Sequence, residues 1–251
     1  MRKLKITIEY DGTNYQGWQC QPKAPTIQEL LQRKLEVITK TRTTIYGSGR
    51  TDSGVHAKGQ VAHFFTESTM TLREFLKALN SCLPPEVVIL KVEEADSNFH
   101  SQKSAVCKLY RYSILNRDFP SALDCRFAHY IATPLDVDAM RTAAQVVVGC
   151  HDFTSFRGRG CTAKTAIRAI HECQIVTEGD YIRIDIQGDG FLRNMVRIIA
   201  GTLIQIGKGK MDVGEMQRIL DAKNRNLAGP TAPSRGLCLE WVSYEPRNYQ
   251  D

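Results

Sequence analysis

The chain has 251 residues, 42% hydrophobic and 24% charged, the balance of an ordinary globular protein with one large or two small domains. Its 33 Lys and Arg against 27 Asp and Glu leave a formal charge of +6, which permits a polyanionic partner without requiring one. The most apolar stretch, Val196 to Ile206, is broken by Gly201, Thr202 and Gln205 and is too short to cross a bilayer.

Met1 leads into an alternating pattern with no apolar leader, so a cytoplasmic protein is expected. Lys3 to Tyr10 reads as a strand. A helix follows, with Thr26 and Glu29 spaced as a capping box and Ile27, Leu30, Leu31, Leu35 and Ile38 in a stripe. Thr43 to Gly47 and Gly59 to Thr66 read as strands, Leu72 to Leu83 as a helix stopped by Pro84 and Pro85, and Val87 to Ala95 as a strand. The order then repeats. Ser104 to Leu115 alternates, and Val137 to Val148 is helical with Gly149 as its stop. Thr165 to Val176 and Tyr181 to Gln187 form a hairpin around Glu178-Gly179-Asp180. Phe191 to Ile206 and Val213 to Ala222 read as helices, and Leu237 to Tyr244 as a closing strand.

Two β-α-β-β-α-β halves predict an α+β protein of two ferredoxin-like units. Their sheets are expected to be antiparallel, with helices on one face and the other face free for a ligand. The link from Asp96 to Gln102 divides a domain 1–100 from a domain 101–251. The eight cysteines (20, 82, 107, 125, 150, 161, 173, 238) are scattered without a CxxC, which argues for reduced thiols and against structural zinc.

The stretch Gly47 to Gln60, GSGRTDSGVHAKGQ, concentrates glycine around Arg50, Asp52 and His56. A dinucleotide fingerprint fails because its third glycine position is Asp52; a P-loop fails because Val55 and His56 follow Gly54. Asp52 and His56 lack a third metal ligand nearby, and neither Ser48 nor Ser53 sits in a GxSxG elbow. Two readings remain open. One is a glycine-rich hairpin with a surface Arg50–Asp52 pair, worth ~0–1 kcal/mol. The other is a carboxylate kept charged by Arg50, two residues away on the same side of an extended segment, and able to attack a sugar or base carbon. Retaining glycosidases pair two carboxylates; a lone one suits a reaction that returns the displaced group.

The stretch GSGRTDSGVHAKGQVAHF closely resembles the signature of the TruA family of tRNA pseudouridine synthases. YDGTNYQGWQCQ (Tyr10 to Gln21), NFHS (Asn98 to Ser101), KLYRYSILN (Lys108 to Asn116), HDFTSFR (His151 to Arg157), GDGFLRNMVRIIAGTL (Gly188 to Leu203) and GPTAPSRGL (Gly229 to Leu237) are similar to further family segments, in order along the chain. The resemblance implies two ferredoxin-like halves joined over a central basic cleft. It implies conversion of uridine to pseudouridine at positions 38, 39 and 40 in the anticodon stem-loop of tRNA, without cofactor or catalytic metal, by a homodimer. On this resemblance Asp52 is the nucleophile, attacking C1′ of the sugar or C6 of the base. Arg50 pairs with it and helps hold the flipped base, Tyr110 stacks on the base, Arg197 lies near the carboxylate, and Leu237 lines the pocket. Arg157 and Arg193 are further expected RNA contacts. Lys208, Lys210, Lys223 and Arg225 are basic residues that could follow phosphates.

Without the resemblance, Tyr110 and Leu237 read as core residues; Asp185 with Asp189 is a possible carboxylate pair, but Gly188 and Gly190 favour a turn there. Two other functions fit the same residues: a catalytically silent RNA-binding protein and a carboxylate-dependent nucleoside hydrolase. Two positions depart from the family pattern: Gln102 stands where relatives often carry arginine, and Cys238 where an aromatic is common.

Overall fold

The computed structural model describes residues 1–245. Among them are ten strands and five α-helices, a mixed α and β architecture. The chain divides into two compact units, one formed by Met1–Val106 together with the segment from Leu239, the other by Cys107–Cys238.

The first unit begins with β1 (Arg2–Tyr10), α1 (Ile27–Thr39), β2 (Tyr46–Gly47), β3 (His56–Thr66), α2 (Leu72–Cys82) and β4 (Val87–Glu94). Strict alternation on β1 buries Leu4, Ile6, Ile8 and Tyr10 and leaves Lys3, Lys5 and Thr7 half-buried on the other face. The helices bury Ile27, Leu31, Leu35, Phe75 and Leu79, and Phe75 meets Phe64 of β3 edge-on at 6.1 Å. β1 lies between β4 and β3, antiparallel to both, and β2 pairs antiparallel with β3. Thr26 Oγ1 accepts the Glu29 N–H at 3.4 Å, but the reciprocal capping box forms at α2, between Thr71 and Glu74.

The face of this sheet expected to be free for a ligand is partly covered by the unit's own chain. The segment 97–101 runs across it. Lys3 Nζ donates to the Phe99 carbonyl at 2.8 Å. The Ser101 N–H donates to His63 Nδ1 at 3.2 Å, and Tyr244 Oη donates to the Ser101 carbonyl at 2.8 Å. Phe99 packs against His63 and Tyr244, with Lys5 above its ring. The Phe-His segment is therefore a strap that lies over the buried His63.

The second unit carries β5 (Cys107–Asn116), β6 (His129–Ile131), α3 (Val137–Gln145), β7 (Gly149–Asp152), β8 (Ile167–Glu178), β9 (Tyr181–Gly188), α4 (Met195–Gly207) and α5 (Glu215–Ala222). Its strands run in the order β5-β9-β8-β7, with β6 parallel to β5. The β8–β9 hairpin turns at Gly179, whose φ of 57° suits glycine. Ile182, Ile184 and Ile186 face inward. α4 is apolar nearly all round and is buried, as a central helix should be. It starts four residues later than its periodicity suggested, because Asn194 adopts a left-handed φ of 60° and interrupts the helix before Met195. The final strand, β10 (Leu237–Ser243), passes at Leu239 into the first unit, where it lies beside β3. A Cβ on Gly59 of β3 would stand 2.6 Å from the Glu240 carbonyl, so this close pairing needs glycine.

Candidate active site

Arg50 and Asp52 lie in an irregular loop, residues 48–55, between β2 and β3. The chain here turns rather than extends: Ser53 and Gly54 form a turn, Gly54 has φ 72°, and the Val55 N–H donates to the Asp52 carbonyl at 3.2 Å. The alternation that would place Arg50 and Asp52 on one side does not apply, and the expected ion pair between them is not formed. Arg50 is exposed and has no ion pair among the described residues, while Asp52 is half-buried.

The loop is held by the segment Tyr10 to Trp18. Tyr10 Oη and Thr51 Oγ1 lie 2.8 Å apart, buried. The Trp18 N–H donates to the Thr51 carbonyl at 3.1 Å, and the Gly54 N–H to the Tyr15 carbonyl at 3.1 Å. Ser53 Oγ donates to Gln16 Oε1 at 3.1 Å. His56, buried at the end of the loop, accepts the Gly12 N–H on Nδ1 at 3.1 Å. Close approach explains the glycines. A Cβ on Gly12 would fall 1.9 Å from the Val55 carbonyl oxygen, one on Gly17 2.4 Å from that of Thr51, and one on Gly47 2.5 Å from the Trp18 indole. Gly12, Gly17 and Gly47 thus accommodate the protein's own backbone and core.

Tyr110, Arg157, Arg193, Arg197 and Leu237 all belong to the second unit. Tyr110 sits on β5 opposite Ile186 and is buried, its ring meeting Phe191 edge-on at 5.2 Å. Two residues earlier on the same strand, burial pushes the Lys108 ammonium down to about 8, with Asp189 opposing the shift and Arg168 adding to it. Arg197 is half-buried on α4; Nε donates to the Ala232 carbonyl at 2.7 Å and Nη1 to Asn194 Oδ1 at 3.2 Å. The Ala232 N–H donates back to the Arg197 carbonyl at 3.0 Å. The same segment is fitted to the helix at Gly201, where a Cβ would lie 1.8 Å from the Pro230 carbonyl, and at Gly236, against the Tyr112 ring. Tyr112 Oη donates to the Pro233 carbonyl at 3.0 Å, and burial raises its phenol. Leu237, buried, follows directly.

Arg157 does not point to solvent as a simple phosphate contact would. Its Nη2 donates to the carbonyls of Cys161 and Ala163, both at 2.8 Å, closing a loop on itself. The Gly158 N–H donates to the Arg193 carbonyl at 2.8 Å, and Arg159, Lys164 and Arg193 are exposed around it. Asp185 and Asp189 are not a carboxylate pair: Asp185 takes a bidentate grip from Arg111 at 2.7 and 2.6 Å, and Asp189 accepts the Ala169 N–H at 3.2 Å. Lys223 pairs with Asp152 at 3.1 Å, and Arg225 donates to the carbonyls of Ala228 and Gly229, so both are already engaged. Gln102 is exposed and Cys238 half-buried. Among the described residues no three His, Cys, Asp or Glu side chains are grouped to hold a metal ion.

A family model described as tRNA pseudouridine synthase matches residues 6–102 and 143–245. A protein of Clostridium perfringens named tRNA pseudouridine synthase A 2 is 45% identical over 244 residues, covering 97% of this chain and all of its own length. One of Geobacter sp. strain M21, named tRNA pseudouridine synthase A, is 46% identical over 245 residues, covering 97% and 99%. Among solved structures, a chain of a Cbf5-Nop10-Gar1 complex aligns over 94% of this chain and 57% of its own at 10% identity, with a TM-score of 0.35, too low to bear on fold or function.

Proposed function

The chain belongs to the tRNA pseudouridine synthase family, and from that premise we propose that it isomerises uridine in the anticodon stem-loop of tRNA with Asp52 as nucleophile. The observation that carries the reading is the Asp52 loop itself. A half-buried carboxylate is presented on a segment that lacks regular structure yet is fastened by hydrogen bonds to Tyr10, Tyr15 and Trp18. A reacting group needs such fixed placement, because proximity and orientation supply much of a rate enhancement.

The target base is shielded in its stack and must be flipped out, at a cost of a few kcal/mol. Tyr110 is assigned to stack on it, which offsets about 1–3 kcal/mol of that cost. Arg50, exposed and with no ion pair among the described residues, is assigned to hold the displaced base or a neighbouring phosphate. Asp52 attacks C1′ or C6, the N1–C1′ bond breaks, and the base turns. C5 then bonds to C1′, the bond to Asp52 breaks and returns its electron pair to the carboxylate, N1 gains a proton and C5 loses one, so the reaction consumes and releases nothing. Arg197 is assigned to the electrostatics of the carboxylate and Leu237 to the apolar wall of the base pocket. Arg193, with Arg159 and Lys164, supplies cations to the RNA backbone, whereas Arg157 orders the loop that presents them.

The antiparallel order β4-β1-β3, with β2 on β3, supports a ferredoxin-like reading of the N-terminal half, and we extend it to the C-terminal half. A homodimer acting in the cytoplasm completes the proposal. Incubating unmodified tRNA with the protein and mapping pseudouridine by chemical labelling tests it. Modification confined to the anticodon arm is the expected result. Modification elsewhere, or free uracil as product, contradicts it.

A further inference from the structure

Resting on the reading of Asp52 as nucleophile, we infer that Gln60 is a positioning residue that sets the Arg50–Asp52 segment through its carboxamide. Gln60 lies on β3 and is fully buried. Its Oε1 accepts the Ser48 hydroxyl at 2.6 Å and the Val61 N–H at 3.2 Å, while its Nε2 donates to the Gly49 carbonyl at 3.0 Å. An N–H can only donate and a carbonyl can only accept, so these partners fix which end of the amide faces which way. One side chain thereby fastens the two residues preceding Arg50. On the other side of Arg50, Thr51 is fastened through its hydroxyl to Tyr10 and through its carbonyl to Trp18. Arg50 and Asp52 are thus set on either side of Thr51, between backbone groups fastened at Ser48, Gly49 and Thr51.

A buried amide making bonds on both ends costs less than one left half-satisfied, and a loop of eight residues could be closed by simpler means. What the amide adds is direction: it needs a donor toward Gly49 and an acceptor toward Ser48. A carboxylate of the same shape offers only acceptors, and would set charge against the Gly49 carbonyl. A protonated carboxylic acid restores one donor and one acceptor. Burial raises the pKa of such an introduced acid, bringing its protonation into a testable range.

The test is the pH dependence of pseudouridine formation by Gln60→Glu in single-turnover and steady-state assays, relative to wild type at each pH. The expected kcat deficit is about tenfold or more near pH ~8, narrowing to about threefold near pH ~6, with tRNA Kd close to wild type; Tm falls toward pH ~8, as a raised carboxyl pKa requires, but stays above the assay temperature. Gln60→Met, which keeps the shape and lacks both polar ends, should show a deficit that does not change with pH. An unchanged kcat overturns the inference. So does a Gln60→Glu deficit independent of pH, or a loss that appears only in Kd or equals the fraction unfolded at the assay temperature, since a merely structural role produces those. Wild-type protein that forms no pseudouridine sinks the functional reading instead, a result distinguishable from active wild type with indifferent variants.

Discussion

Two loops of this molecule share a composition and differ in construction. Residues 48–55 and residues 157–163 each combine arginine with closely spaced glycine. In the first, the bonds come from elsewhere: Tyr10, Tyr15, Trp18 and Gln60 hold the backbone, and Arg50 is left exposed. In the second, the arginine is the fastening, with Arg157 turned inward onto the carbonyls of Cys161 and Ala163. An arginine beside glycines is therefore either what the loop presents or what the loop is built on. The distinction lies in which groups already satisfy the backbone.

The strongest way to break the first loop is through its support. Gly12→Ala sets a Cβ against the Val55 carbonyl, in backbone that has little room to shift. Destabilisation of about 3 kcal/mol or more is expected, measured by denaturant unfolding. A variant of wild-type stability would show that the two segments can part freely, and the rigid-loop account would be wrong.

The arginines sharpen the contrast. Arg157→Ala removes two bonds to carbonyls and should cost about 1–3 kcal/mol, with Arg157→Lys a poor rescue because lysine lacks the planar fork. Arg50→Ala should leave stability within about ±0.5 kcal/mol yet lower kcat/KM at least about tenfold. Equal stability losses at the two positions would erase the difference between the loops.

Much of this architecture was legible beforehand, for reasons that also explain the gaps. α1 follows from its apolar stripe and the Thr26 cap, α2 from a helical run stopped by Pro84 and Pro85, and the β8–β9 hairpin from Gly179 between two alternating runs. The short strands β6 and β7 were not read. Three and four residues carry no usable periodicity, and their pairing with β5 and β8 is a tertiary fact. Asp52 stood out through its glycines and its family resemblance, but its supports did not. Gln60 reads as a polar residue on a strand, and Tyr10 as the end of an alternating run, until the register brings them against Ser48, Gly49 and Thr51. In the sequence the segment 97–101 is a motif and a link; its cover over His63 is a tertiary fact.

A smaller effect comes from two histidines, one in each unit, His63 buried and His129 half-buried. Burial lowers both His63 and His129 to about 4, the first aided by His100 and Lys3 and the second by Arg235 and Lys208. Each stays neutral when folded but takes up a proton near 6.5 when unfolded. Their contribution to stability is therefore complete above pH ~6.5 and is lost progressively as pH falls toward ~4. Unfolding midpoints recorded across this window should fall with acidification, and His63→Gln should flatten part of the slope. A slope that His63→Gln leaves untouched would mean that His63 is charged in the folded protein.

The central claim is that the carboxylate of Asp52 performs the chemistry on a loop built to hold it still. It is tested most directly by single-turnover assay of Asp52→Asn on saturating unmodified tRNA, alongside tRNA binding by the same variant. The account predicts no detectable pseudouridine, with binding within about twofold of wild type. Pseudouridine formed by Asp52→Asn at a rate comparable to wild type would contradict it.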